Sequence, residues 1–328
     1  MPRDPEFVSN RPDVLTDVLS TLELRGWLHS RSELAAPWRF DFAAGADCVF
    51  HVLDRGAAVV YIGGDATPRP VEAGDVVVFP RGDAHTICDA PGSVLTAAVQ
   101  LDYRADRSYQ VLASDPDAEL VMLCGAFHFD SLGSQVLLRR LPAMIRVRGA
   151  TGSVPDRVSA IVGQLAAESA AERPGADVML RKLAEMLFIE VVRTWIEQQP
   201  PEDGGWWGAL ADPVVGAALA LMHDDPGHRW TVRNLAQAVA LSRSVFAERF
   251  TQLVGEPPLT YLTRWRMHMA MRLLRAGVSP AAVAGRVGYD SEVAFRKAFR
   301  REAGTTPARF RRERQAGRAS RPPRAPTP

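Results

Sequence analysis

Cysteine is scarce in this sequence. The three present, Cys48, Cys88 and Cys124 in 328 residues, are too few for a disulfide-stapled scaffold and fit a reducing compartment. Long apolar runs are absent as well. No stretch approaches the roughly 18 consecutive apolar residues that a membrane-crossing helix needs. The opening Met1-Pro2-Arg3-Asp4-Pro5 lacks the apolar core of a secretion signal, so a soluble cytoplasmic protein is expected. Net charge is nearly absent too, at +1, which by itself points to no polyanionic partner.

That neutrality hides a division. Residues 209–315 carry 17 Lys/Arg against 9 Asp/Glu, a net of +8, and the 316–328 tail adds three arginines, which leaves −10 for residues 1–208. An acidic amino-terminal part is joined to a basic carboxy-terminal part, and only the latter suits a polyanion. Segregated solvated charge is the alternative on this ground alone.

The two parts also differ in pattern. Residues 1–12 are polar and expected to be loose, and Val14–Leu24 has helical spacing. Then short apolar runs recur between turn signals: Cys48–Leu53, Ala57–Ile62, Asp75–Phe79, Val94–Leu101 and Glu119–Phe129. Strands this short and close suggest a small β-barrel or sandwich. Asp156–Ser169 and Asp177–Gln198 read as helices. The second is apolar on most of its circumference, so it is either fully buried or shared with a second subunit. The shared arrangement, a homodimer through Asp177–Gln198, is the expectation. Gln198–Gly208 reads as a linker, and residues 316–328 as a disordered tail.

The carboxy-terminal part contains a repeat. Leu235, Ala236, Val239 and Leu241 match Val283, Ala284, Val287 and Tyr289 at a spacing of 48; past one extra turn residue, Phe246, Phe250 and Gly255 match Phe295, Phe299 and Gly304 at 49. Fixed-period self-similarity marks one structural unit built twice. Each copy reads as helix, short turn, helix, with Thr231 as a first N-cap, Ser242 and Ser291 capping the second helices, and a glycine ending each. Phenylalanines four apart define the inward face. Arg243, Ser244, Ala247 and Glu248 are left facing out in one copy, and Glu292, Val293, Arg296, Lys297 and Arg300 in the other. With Arg249 and Ser291 they form the candidate DNA-binding set. A helix over Leu259–Ala276, roughly 27 Å long, joins the copies, with Leu262, Trp265, Met269 and Leu273 expected inward. An ordinary helical bundle is the alternative.

These residues resemble the AraC/XylS-type DNA-binding domain, over about 100 residues from Asp212 to Arg312. The matching residues are Thr231-Val232-x-x-Leu235-Ala236, Ser242-x-x-x-Phe246-x-x-x-Phe250, Val283-Ala284-x-x-Val287-Gly288-Tyr289, Phe295-x-x-x-Phe299 and Gly304-Thr305-Thr306-Pro307-x-x-Phe310-Arg311. The resemblance implies two reading helices in successive major grooves. Base contacts would fall to Ser244, Ala247 and Glu248, and to Glu292, Val293, Arg296 and Lys297. Glu248 departs from the Arg that relatives often carry, and would repel phosphate or accept from cytosine N4.

Upstream, Gly74, Pro80, Gly82 and His85 have the spacing of the second cupin motif, with Asp89 where Asn is usual. The first motif is degraded: His51 stands alone, with no His-x-His pair and no following Glu. Residues 13–145 thus resemble a cupin-type sensor domain. His51, Tyr61, His85, Cys124 and His128 are candidates for an effector pocket, and His51 and His85 for a metal site. A pocket without metal, a metal site and a silent structural barrel all remain open, as does cysteine redox sensing.

The expected fold is α+β in two domains: a cupin-like β-barrel (1–145), a helical dimerising connector and linker (146–208), an all-α domain with two helix-turn-helix units (209–315) and a tail (316–328). The expected function is that of a transcription regulator, not an enzyme. It would bind double-stranded DNA under control of a small-molecule effector, with no cofactor and no membrane. A metal-dependent cupin enzyme fused to a DNA-binding module is the alternative.

Overall fold

The protein is described from a computed structural model over residues 14–21, 24–94, 97–99, 110–129, 138, 141–149, 156–171, 173–198, 205–210 and 212–312. The 1–12 stretch, most of the expected linker and the 316–328 tail lie outside them. The chain divides into one compact unit of Leu22–Gln199 and a second of Met1–Thr21 with Pro200–Pro328.

The first unit contains β1 (Leu24–Leu34), β2 (Arg39–Phe42), β3 (Cys48–Arg55), β4 (Ala57–Ile62), β5 (Arg69–Glu72), β6 (Val76–Phe79), β7 (His85–Cys88), β8 (Ala97–Val99), β9 (Gln110–Ser114), β10 (Leu120–Phe129) and β11 (Ile145–Val147). They form two sheets, in the orders β11-β6-β3-β10-β1-β9 and β5-β4-β7-β2-β8. Both contribute to one core: Leu53, Val77, Phe79 and Met122 from the first meet Phe40, Val60, Val71 and Ile87 from the second. The strand β4 alternates, with Ala58 and Val60 buried and Tyr61 facing the other way. By contrast β3 is buried at six consecutive residues, Cys48 to Leu53. A strand covered on both faces reads as a continuous apolar run. A carboxylate pins one edge: Asp75 accepts from the Glu72 and Gly149 backbone N–H and pairs with Arg146 at 2.6 Å, tying β11 to the turn before β6.

Helices α2 (Asp156–Ala170) and α3 (Ala176–Gln198) belong to this same unit, so the domain boundary expected at residue 145 is not where the chain divides. The reason is close packing. Gly26 of β1 touches α3 so nearly that a Cβ there would lie 2.9 Å from the Ala184 Cβ and 3.0 Å from the Glu185 nitrogen. Phe188 packs at a steep angle against the rings of Phe127 and Phe129, and Leu180, Leu187, Val191 and Val192 are buried. The expectation that one intramolecular face cannot use α3's apolar residues is therefore corrected. Strands β1, β10 and β11 together with α2 cover most of them, and Val178, Met179 and Met186 are left about half exposed.

The second unit is helical. Its elements are α1 (Val14–Thr21), α4 (Gly205–Gly208), α5 (Pro213–Asp224), α6 (Val232–Ala238), α7 (Arg243–Val254), α8 (Pro258–Arg275), α9 (Pro280–Arg286) and α10 (Glu292–Ala303). By sequence position α1 is expected in the barrel domain. It instead buries Val14 and Val18 and packs on α5 and α8. In α8 the buried face is Tyr261, Leu262, Trp265, Met267, Ala270, Met271 and Leu274. Met269 and Leu273, expected inward, are only half-buried because the helix must serve two cores and its stripe shifts along its length.

Candidate functional site

The two repeat copies have the same local chemistry. The Thr231 hydroxyl accepts from the Asn234 N–H at 3.1 Å, and the Asn234 side chain accepts in return from the Thr231 N–H at 2.7 Å, closing a reciprocal cap on α6. Ser279 caps α9. Ser242 and Ser291 cap α7 and α10 by accepting from Val245 and Ala294. The turns superpose in their bonds as well: Leu241 N–H donates to the Ala236 carbonyl and Tyr289 N–H to the Ala284 carbonyl, each at 2.9 Å. Both need a left-handed residue, which is Ala240 (φ 56°) in one copy and Gly288 (φ 78°) in the other.

Phe246, Phe250, Phe295 and Phe299 are fully buried, which rolls the opposite faces of α7 and α10 outward. Arg243, Ser244 and Glu248 are exposed with Ala247 half-buried, and Ser291, Glu292, Val293, Arg296, Lys297 and Arg300 are all exposed. The capped amino ends of both helices carry unsatisfied backbone N–H groups suited to phosphate oxygens. Arg243, Lys297 and Arg300 have no ion-pair partner among the described residues. Arg296 is held by Glu292 one turn back at 2.8 Å.

Ser291 also caps its own helix, and one expected member is committed elsewhere. Arg249 pairs at 2.6 Å with Asp212, whose other oxygen caps α5 by accepting from Val214 and Val215, so it fastens α7 to α5. The Asp212-Pro213 cap signal was present in the sequence, but nothing local pointed from it to Arg249.

In the first unit the structure brings His51, His85 and Cys124 together. His51 Nε2 lies 2.7 Å from His85 Nε2, and His51 Nδ1 lies 3.0 Å from Cys124 Sγ. His85 Nδ1 is 2.9 Å from the Asp83 carbonyl, which can only accept, and this fixes every tautomer. Burial holds both imidazoles neutral: His85 is lowered to about 4, and His51 well below its usual value, with the neighbouring His85 adding to the effect. His85 therefore carries its proton on Nδ1, His51 on Nε2, and the Cys124 thiol donates to His51 Nδ1. Burial pushes that thiol up to about 12 and raises Cys48 and Cys88 too, which leaves little of the thiolate that redox chemistry requires.

This cluster is closed. The three residues are at most 3 % exposed, and the Phe42 and Phe79 rings stack on His85 at centroid distances of 4.7 and 3.7 Å. The remaining pocket candidates are not brought to it: Tyr61 faces away from the core, and His128 pairs with Asp47 at 2.7 Å. Nor does the donor set fit a metal. Two histidine ligands at 2.0–2.1 Å on a tetrahedral zinc stand roughly 3.3 Å apart, whereas these nitrogens share a proton at 2.7 Å. Among the described residues no group of three or more His, Cys, Asp or Glu side chains is placed to hold an ion. Open space lies elsewhere, in a groove of about 420 Å³ between Arg25, Gly26 and Leu28 of β1 and Asp177, Arg181 and Glu185 of α3.

Comparison with known proteins gives a cupin family model over residues 13–197 and a helix-turn-helix domain model over residues 235–313. The chain is 34% identical over 304 residues to a putative AraC-like transcription regulator of Streptomyces antibioticus, covering 92% of this chain and 98% of that one. It is 30% identical to the HTH-type transcriptional regulator AlkR of Acinetobacter baylyi, with 92% and 99% covered. Among solved structures it is similar to the DNA-binding domain of AdpA in complex with a target DNA (36% identity, 33% of this chain and 98% of that one, TM-score 0.32).

Proposed function

Since the chain belongs to the AraC-type transcription regulators that join a cupin domain to a helix-turn-helix domain, we propose that α7 and α10 are its reading helices and enter successive major grooves of one duplex. The observation that carries this is the pairing of exposed faces: two copies of the same capped turn, each burying its phenylalanines and presenting its polar side. Arg296 and Lys297 have the reach to contact guanine O6 and N7, Arg300 and Arg243 the position for phosphate, and Glu248 and Glu292 the chemistry to accept from cytosine. No helix among the described residues is long and apolar enough to cross a membrane, in keeping with a cytoplasmic site of action.

The cupin unit is the proposed sensor. The closed, self-satisfied His51–His85–Cys124 cluster supports a structural role for the interior, and the β1–α3 groove is the better candidate for a small-molecule effector. A homodimer is proposed through the part of α3 left uncovered, at Val178, Met179 and Met186. The cupin-enzyme alternative lacks support from the donor set, and no cofactor is assigned. Metal analysis tests this: the purified protein should hold less than about 0.1 equivalent of iron, nickel or zinc, and stoichiometric metal, at or above about one open site's worth, would revive the enzyme. For DNA reading, selection from a random duplex library should enrich one bipartite sequence whose binding weakens steeply with salt. Enrichment of no sequence would refute it.

A further inference from the structure

The rod α8 alone does not explain how the two reading helices are held in one relation. A single helix connecting two modules through the short segments before Pro258 and after Arg275 fixes their distance better than their mutual rotation. The structure contains a second connection. Arg266, half-buried on α8, donates from Nε to the Pro226 carbonyl at 2.6 Å and from Nη2 to the His228 carbonyl at 2.8 Å, both in the loop that leads into α6. The same guanidinium lies over the Tyr289 ring, 5.9 Å from its centroid, in the turn of the second copy. Around it the two copies touch directly. A Cβ on Gly288 would lie 2.7 Å from the Gly227 carbonyl oxygen and 2.8 Å from Arg266 Nη2. Arg229 pairs with Asp290 at 2.7 Å across the same seam, but both side chains are about four-fifths exposed, and such pairs are worth little.

We propose that Arg266 is a positioning residue for DNA reading: it clamps the loop before α6 against the turn between α9 and α10, so that both reading helices are presented at one fixed spacing. The guanidinium suits this. Its planar fork satisfies two carbonyls while its face packs on an aromatic ring, and the bonds are charge-assisted. Arg266 need not touch DNA; it acts by removing the freedom that would otherwise dilute two-site binding. The inference rests on the proposed DNA-reading function.

The test uses the full chain and Arg266→Lys, Arg266→Ala and Tyr289→Leu variants, each selected against a library of random duplexes. Lysine keeps the charge without the fork, so it protects the experiment if alanine fails to fold. Wild type should enrich two sub-sites at a single separation, about 10–10.5 base pairs centre to centre. The variants should enrich the same sub-site sequences at a spread of separations. Their affinity for a duplex carrying both sub-sites should fall on the order of 10-fold, with binding to a one-sub-site duplex held within about twofold, because linkage sets the effective concentration of the second contact. Folded variants that retain the single separation and the two-sub-site affinity would overturn the proposal. So would an equal loss on both duplexes with a lowered melting temperature, which would assign Arg266 to stability alone. A wild-type protein that enriches nothing contradicts DNA reading itself.

Discussion

Two residues show how little separates a tolerated position from a forbidden one. Ala240 and Gly288 occupy equivalent left-handed turns, and a non-glycine residue there costs roughly 1 kcal/mol. Ala240→Gly is expected to stabilise the second unit by up to about 1 kcal/mol in chemical denaturation. Gly288→Ala is expected to destabilise it by about 2 kcal/mol or more, because strain is joined by a clash with the Gly227 carbonyl and Arg266. Equal effects at the two sites would contradict the packing described. His85 offers a second test at this scale. Its folded-state value, about 4, lies below the unfolded histidine value of about 6.5. The stability it contributes is thus present above pH 6.5 and is lost as pH falls through about 4, on the order of 3 kcal/mol in all. Melting of the first unit should show that loss, and a His85→Gln variant, though less stable at neutral pH, should show a shallower one.

At the scale of elements, the helical unit was legible because its signals are local. Thr231, Ser242 and Ser291 cap where the sequence places caps, and Gly255 and Gly304 end α7 and α10 at positive φ. The strands were only half legible. β3, β4, β6 and β10 stand out as apolar runs. β1 does not, because it is buried on both faces while carrying His29, Ser30 and Ser32 inside, so neither alternation nor hydrophobicity marks it. β7 is four residues, His-Thr-Ile-Cys, too short for any period. Long-range partners were invisible: nothing in the sequence leads from Arg266 to carbonyls 40 and 38 residues away, or from Arg249 to Asp212. The same scale carries a prediction for β11. Asp75→Asn leaves Arg146 without its counter-charge and should cost roughly 3 kcal/mol in denaturant unfolding of the first unit; a change below about 0.5 kcal/mol would show that the edge is held by other contacts.

At the scale of the whole molecule, the division of charge seen in the sequence coincides with the division into domains: the basic part carries the helix-turn-helix domain and the acidic part the cupin unit. Within the reading set, Arg296→Ala or Lys297→Ala should weaken binding to the selected site by about 1–3 kcal/mol and relax preference at one base pair if the side chain reads a base. A uniform loss over all sequences assigns it to phosphate. Glu292→Gln should release Arg296 and raise affinity for unrelated DNA, measured by fluorescence anisotropy. Light scattering addresses the dimer: Met179→Glu with Met186→Glu should convert a two-chain species to one chain, and an unchanged mass would place the subunit contact elsewhere.

The most direct measurement is hydroxyl-radical and methylation footprinting of the full chain on its selected duplex. The account predicts methylation protection at guanines in two major-groove segments on one face of the helix, about one turn apart, each lost separately when α7 or α10 is altered. Protection confined to a single groove segment, or unaffected by changes in α10, would contradict it.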